Sequence, residues 1–319
     1  GRWLIGWRRC AGGDPGGSSD ECPDPALAWP RADAVGVRGD WSLLGGDPAR
    51  TEEMRLVRLA NGQEVGDGHP CIVVAEQGIN HDGDLEKALA LCRAAKSAGA
   101  DYVKLQKKTP RLSVPESQWA IPKETPWGER LPYLDYKERM EFGRLEYDAI
   151  DQECRRLRLP WFASAWDVPS LDFLLAYNPP AIKVPSACLT DIPLLEAICR
   201  SGVPTILSVG MSTKSQIDRA VGALRRDRLV ILWCRSSYPA APQDLNLTAI
   251  LTLRERFQRY PIGWSGHETG LWTSLCAVVL GASMIERHFT LDRASKGTDH
   301  AASVEPKGIA RLVQAIRRW

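Results

Sequence analysis

Net charge is nearly absent from this chain: 41 lysines and arginines stand against 39 aspartates and glutamates, a formal +2. So small an excess argues against nucleic acid or an anionic membrane surface as partner. Long hydrophobic runs are also absent. No apolar stretch is long enough to span a bilayer, and no signal-peptide core is recognisable, so neither a membrane nor a secreted protein is expected. The nine cysteines form no C-x-x-C pair, and several sit inside apolar patterns where a thiol packs as a small hydrophobe. A reducing cytoplasm is the expected location. What remains is ordinary globular composition, 44% apolar and 25% charged, in 319 residues that can bury a full core.

Residues 1–53 differ from the rest. They hold four of the twelve tryptophans and many Gly, Pro and Arg, with no sustained helix or strand period. Such a stretch interrupts the backbone repeatedly without building a continuous face. It is expected to be a disordered or extraneous leader, with a regulatory tail as the rival reading. From Met54 the character changes: a short strand, a turn at Asn61-Gly62 and a second short strand read as a hairpin.

Apolar strand-like runs then recur at 71–78, 102–106, 160–166, 181–186, 204–210, 229–235, 261–266 and 284–290. Helix-period stretches separate them, among them 85–100, 136–157, 192–202, 214–226, 245–257, 268–280 and 306–319. Eight strands that are apolar on both faces, each followed by a helix, give the count of a (β/α)8 TIM barrel over residues 54–319. The hairpin would cap its bottom. A doubly wound open sheet is the alternative.

A barrel places its chemistry at the C-terminal ends of its strands. Those ends carry Glu76 with Asn80 and His81, Lys104 with Gln106, and Ser164 with Asp167. They continue with Lys183 and Ser186, Ser208, Ser236 and Tyr238, Ser265 and His267, then Glu286 and His288. His267 and His288 close or follow two successive strand runs, so parallel neighbours would bring both imidazoles to one sheet edge. Two imidazoles there suit a divalent transition metal. The rival is one satisfied core histidine and one surface histidine. Lys104 and Lys183 interrupt apolar strands, and an inward ammonium is costly without an anion beside it. With nearby serines they describe a pocket for a phosphorylated ligand. Structural ion pairs with Glu76 or Glu286 are the other reading.

The motifs VVAEQGINHDGD (73–84), GADYVKLQ (99–106), WFASAWD (161–167), IKVPSA (182–187) and LSVGMST (207–213) resemble the sialic acid synthase family. So do SSYPAAPQDLNLTAI (236–250), GWSGHETGL (263–271) and ERHFTLDRASKGTDHAASVEP (286–306), in order over essentially all of 54–319. The resemblance implies a transferase that condenses phosphoenolpyruvate with an N-acyl amino sugar of the mannosamine type, yielding a nine-carbon α-keto acid and phosphate. It implies that His267 and His288 hold a divalent ion, manganese first, magnesium or cobalt otherwise. Lys104, Ser164, Lys183, Ser186, Ser208 and Ser265 match positions around phosphoenolpyruvate. Glu76 matches a carboxylate near the reacting carbons, and with Lys104, His267 and His288 makes up the implied catalytic set. Asn80, Ser236, Tyr238 and Asp299 match the sugar side. A homodimer is the implied assembly.

Three departures from that pattern stand out. Trp233 occupies a place where many relatives have His, and Arg235 follows where a small polar residue is usual; a pocket-facing Trp233 would crowd the substrate. Ser236 replaces an Asn found in some relatives. The chain stops at Trp319, after the eighth helix, whereas relatives usually continue into a small antifreeze-like domain. Three functions are therefore weighed: an active nonulosonic acid synthase, a related condensation using a phosphorylated sugar, and a barrel that binds ligand without turnover.

Overall fold

The structure is a computed structural model and describes residues 55–224 and 228–318. The expectation for residues 1–53 lies outside these. The chain opens with a hairpin of β1 (Leu56–Arg58) and β2 (Glu64–Gly66). Eight parallel strands follow: β3 (Ile72–Gly78), β4 (Tyr102–Lys107), β7 (Trp161–Ala165), β8 (Ile182–Val184), β9 (Thr205–Ser208), β10 (Leu229–Trp233), β11 (Ile262–Gly266) and β12 (Met284–His288). They close in sequence order into a barrel, with β12 pairing β3. This is the (β/α)8 barrel expected; seven of the eight runs contain their strand, and β4 extends one residue past its run, to Lys107.

Strand alternation sorts the side chains into two cores. Val73, Ala75, Val103, Leu105, Ile231 and Ile285 point outward and pack under the helices. Ile72, Val74, Tyr102, Phe162, Ile206, Val230, Leu232 and Met284 point inward and fill the lower barrel with Val57, Leu59 and Val65 of the hairpin. The hairpin is thus a plug at the N-terminal end, as expected. Asn61 Nδ2 donates to the Tyr102 hydroxyl at 2.9 Å, and that hydroxyl donates to Gln63 Oε1 at 2.8 Å. The Tyr102 hydroxyl, low in the barrel, is thereby satisfied by the plug itself.

The outer layer comprises α1 (Leu85–Ser97), α4 (Arg144–Leu157), α5 (Val168–Leu175), α6 (Ile192–Ser201), α7 (Lys214–Ala223), α8 (Ala249–Arg256), α9 (Trp272–Val279) and α10 (Pro306–Ile316). Among these, α5 was not singled out from periodicity. Between β4 and α4 the chain makes an excursion: α2 (Pro110–Ser113), a hairpin of β5 (Pro122–Glu124) and β6 (Arg130–Pro132), and α3 (Tyr133–Met140). One helix over 136–157 is therefore corrected to two. The chain leaves α3 extended at Glu141, and Gly143 caps α4 by donating its N–H to Glu146 Oε2 at 2.8 Å. Burial of Phe142 stacked on His81, with centroids 4.1 Å apart, pins the break. No described helix is long and apolar enough to cross a membrane.

Candidate active site

Continuing each inward register above the apolar floor gives Glu76, Lys104, Ser164, Lys183, Ser208, Ser265, Glu286 and His288, all at most 5% exposed. Four of them are charged, and they compensate one another. Lys104 Nζ lies 2.7 Å from Glu76 Oε2 and 3.7 Å from Glu286 Oε1, and it donates to Ser164 Oγ at 3.0 Å. Lys183 Nζ donates to Ser208 Oγ at 2.6 Å and sits 4.0 Å from Glu286 Oε1. Ser265 donates to the same Glu286 oxygen at 3.1 Å. The two sequence readings of the lysines therefore coexist: they are ion-paired, and they stand with three hydroxyls around one space.

The charge states follow from burial and neighbours. Burial would lift Glu286, but Lys104 and Lys183 outweigh it and hold the carboxyl below its ordinary value. Burial lifts Glu76 above the ordinary value despite the pull of Lys104. Burial opposes the charge on Lys104, yet Glu286 and Glu76 prevail and raise it, whereas burial prevails at Lys183 and lowers it. From the sequence, Gln106 was read at a strand end without a role, and Glu286 only as an alternative ion-pair partner of the lysines. Here Glu286 is the shared counter-charge, and Gln106 donates to Glu76 Oε1 at 2.9 Å. Strand alternation gave the signal, because 286 and 288, like 104 and 106, share a face.

His267 and His288 do meet: β11 and β12 are parallel neighbours, and the rings lie 5.3 Å apart. The backbone carbonyl of Arg235 accepts from His267 Nδ1 at 2.6 Å, which leaves Nε2 as the lone-pair nitrogen, facing the Tyr238 hydroxyl at 2.9 Å. Burial, then the adjacent His288, pushes His267 down to about 3, so its ring is neutral at pH 7. His288 Nδ1 is buried without a hydrogen-bond partner, 3.5 Å from Asp299 Oδ2. A neutral imidazole fixed by a backbone carbonyl, beside a second with an orphaned nitrogen, fits a two-histidine divalent site. Among the described residues no group of three or more His, Cys, Asp or Glu side chains is arranged to hold an ion. The histidines are braced from behind. Arg287, fully buried, reaches Glu268 Oε1 at 2.9 Å, the Gly270 carbonyl at 2.9 Å and Ser274 at 2.9 Å, tying the loop after His267 to the strand that ends in His288.

The sugar-side candidates divide. Asp299, Gln106 and Glu76 converge on Gly78, where a Cβ would stand 3.3 Å from an oxygen or nitrogen of each and where φ is +52°. Tyr238 is 39% exposed and stacks against His267, with centroids 4.2 Å apart. Ser236, Ser186 and Cys234 crowd Gly210, where any side chain would fall within 3.0 Å of their heteroatoms. Ser186 Oγ accepts the Gly210 N–H at 3.0 Å and lies 3.1 Å from Cys234 Sγ. Asn80 is buried: its Nδ2 donates to the Phe289 carbonyl at 2.9 Å and to Ser303 at 2.8 Å, and only Oδ1 is left without a partner. Trp233 points into the helix layer and donates its indole N–H to the Leu245 carbonyl at 3.0 Å, so it does not crowd the site.

Comparison with known proteins agrees with this geometry. The chain is 37% identical over 266 residues to the N-acetylneuraminate-9-phosphate synthase of Homo sapiens, covering 82% of this chain and 73% of that protein. It is 34% identical to the N,N'-diacetyllegionaminic acid synthase of Legionella pneumophila, covering 79% and 73%. Among solved structures, the N-acetylneuraminic acid synthetase of Leptospira borgpetersenii superposes with a TM-score of 0.75 at 34% identity, covering 83% of this chain and 89% of that one. The NeuB family model matches residues 91–319, and with these relatives it shows that the chain belongs to the NeuB family and is a synthase of the transferase class.

Proposed function

We propose that this chain condenses phosphoenolpyruvate with an N-acylmannosamine-type aldose to give a nonulosonic acid and phosphate. The observation that carries the reading is the ring of Lys104, Lys183, Ser164, Ser208 and Ser265 directly beneath the His267–His288 pair. Phosphoenolpyruvate presents a carboxylate and a phosphate, and two ammonium groups backed by hydroxyls suit both. His267 and His288 would hold a divalent ion, with manganese preferred, whose chemistry is to polarise the aldehyde oxygen as a Lewis acid.

The chain's own groups do the rest. Lys104 and Lys183 hold the enol so that its carbon 3 faces the aldehyde carbon and forms the new C–C bond. The resulting positive character at carbon 2 lies near the Glu76 and Glu286 carboxylates. Water adds to carbon 2, and the tetrahedral species collapses by C–O cleavage with release of phosphate. Glu76, lifted by burial, is the group suited to take the water proton and return it. Asn80 through Oδ1, Ser236, Tyr238 and Asp299 would hold the sugar.

Purified protein with manganese, phosphoenolpyruvate and N-acetylmannosamine, assayed for phosphoenolpyruvate consumption, tests the reading; no consumption with that sugar or its 6-phosphate would overturn it. Glu76→Gln should lower kcat by roughly 100-fold or more. Undiminished turnover in that variant removes Glu76 from the mechanism.

A further inference from the structure

The ladder between β11 and β12 stops one pair short of the two histidines. Its last pairs are Ser265 with Glu286 and Gly266 with Arg287. His288 is still held on its other side, where it pairs with Glu76 of β3. His267 stands just past the end of β11, in the loop that leads to α9. That residue is tied to the β10 side: its carbonyl accepts from the Ala240 N–H at 2.9 Å, and its Nδ1 donates to the Arg235 carbonyl. Backbone pairing with β12 therefore does not set the distance from His267 to His288. The side chain of Arg287 takes over where the ladder ends.

Arg287 alternates outward with Ile285, so it lies behind the strand, on the face of β12 opposite Glu286 and His288. Its Nη1 donates to the Gly270 carbonyl and to Ser274 Oγ, both at 2.9 Å, and its Nη2 donates to the Glu268 carbonyl at 2.5 Å. The Glu268 carboxylate, 1% exposed, stands 2.9 Å from Nη1 and also accepts from Thr273 Oγ1. Gly266 leaves room for that carboxylate: a Cβ there would stand 2.5 Å from Glu268 Oε2 and 2.4 Å from Trp264 Nε1. A buried ion pair contributes little net stability, because desolvating both charges cancels most of their attraction. What a planar guanidinium fork supplies is fixed geometry. An ion held by two imidazoles needs it, since metal–ligand distances tolerate only about 0.2 Å.

We propose that Glu268 and Arg287 are positioning residues for the divalent ion: they set the separation of His267 and His288, and with it the affinity of the site. This rests on the two-histidine ion site of the condensation reading above. Arg287 acts through the histidines and not on substrate, because it faces the helix layer while the site lies on the inward face.

Manganese titration of the full chain, followed by the electron paramagnetic resonance signal of the free ion, reads the affinity without turnover. Arg287→Met should weaken binding roughly 10- to 100-fold. Arg287→Lys keeps a charge beside Glu268 but lacks the fork, and should recover part of that loss. Ser274→Ala removes one bond of the fork without unpairing a charge, and should weaken binding roughly 3- to 10-fold. It carries the test if Arg287→Met does not fold. Val65→Ala, which loosens the far end of the barrel, should leave manganese affinity within about twofold. Affinity unchanged in whichever of Arg287→Met and Ser274→Ala folds overturns the proposal, as does an equal loss in Val65→Ala or a wild type that binds no manganese. Binding weakened by the Arg287 and Ser274 variants alone supports it even if no condensation is found. Condensation with manganese affinity unaltered by these variants removes the brace and leaves the reaction standing.

Discussion

His81 shows how one residue near the site carries a pH dependence that belongs to folding rather than to chemistry. It is 5% exposed, stacked on Phe142, and its Nδ1 accepts the Gly83 N–H at 3.1 Å. Burial pushes it from 6.5 down to about 4. Between those values the unfolded chain binds a proton that the folded chain refuses, so stability falls as pH drops from about 6.5 and the loss levels off below about 4. The full effect is on the order of 3 kcal/mol. Urea midpoints at pH 7 and pH 4.5 should therefore converge in His81→Phe, which keeps the stack, relative to the wild type. An identical acid slope in both proteins would show that carboxylates elsewhere cause it.

The elements of the barrel were legible in the sequence because parallel strands buried on both faces must read as apolar runs. Polar interruptions of those runs were legible for the same reason: Lys104 and Lys183 had to face something. The excursion between β4 and α4 was not legible. Its strands, PKE and RLP, are exposed apart from the half-buried Leu131 and are too short to show alternation, so periodicity has nothing to report. The merged helix over 136–157 failed because both real helices share a 3.6-residue period and only Gly143 marks the break. The direction of Trp233 was settled by register: it alternates outward with Ile231, and its indole found a carbonyl in the helix layer. Asn80 illustrates the opposite limit, since a motif match cannot reveal that an amide is already engaged by backbone.

The plug hairpin gives an element-scale prediction. Val65 is fully buried against the inward core, at the end of the barrel opposite Lys104 and the histidines. Val65→Ala should lower stability by about 2 kcal/mol through lost burial and a residual cavity. Because the hairpin contributes no group to the site, kcat and KM at 25 °C should stay within about twofold of wild type. Denaturant melts alongside steady-state kinetics check both halves. A kinetic defect larger than the stability defect would mean that the two ends of the barrel are coupled.

At the scale of the whole molecule, the site is electrically complete before any ligand arrives. Glu76 and Glu286 balance Lys104 and Lys183, Arg287 balances Glu268, and the apolar cores under the helices and in the lower barrel involve none of these groups. Folding is therefore expected to proceed without a divalent ion, whereas the proposed chemistry calls for one. Chelation should abolish phosphoenolpyruvate consumption, and manganese should restore it. The melting temperature should move by only a few degrees, because an ion that binds the folded state alone contributes about 3 kcal/mol at a hundredfold excess over its Kd. Differential scanning calorimetry with and without chelator, run beside the activity assay, measures both. If chelation unfolds the barrel, the ion is structural and the internal balance of charge described here is not what holds the upper layer together. If the fold persists and activity falls, the ion serves the chemistry and not the fold.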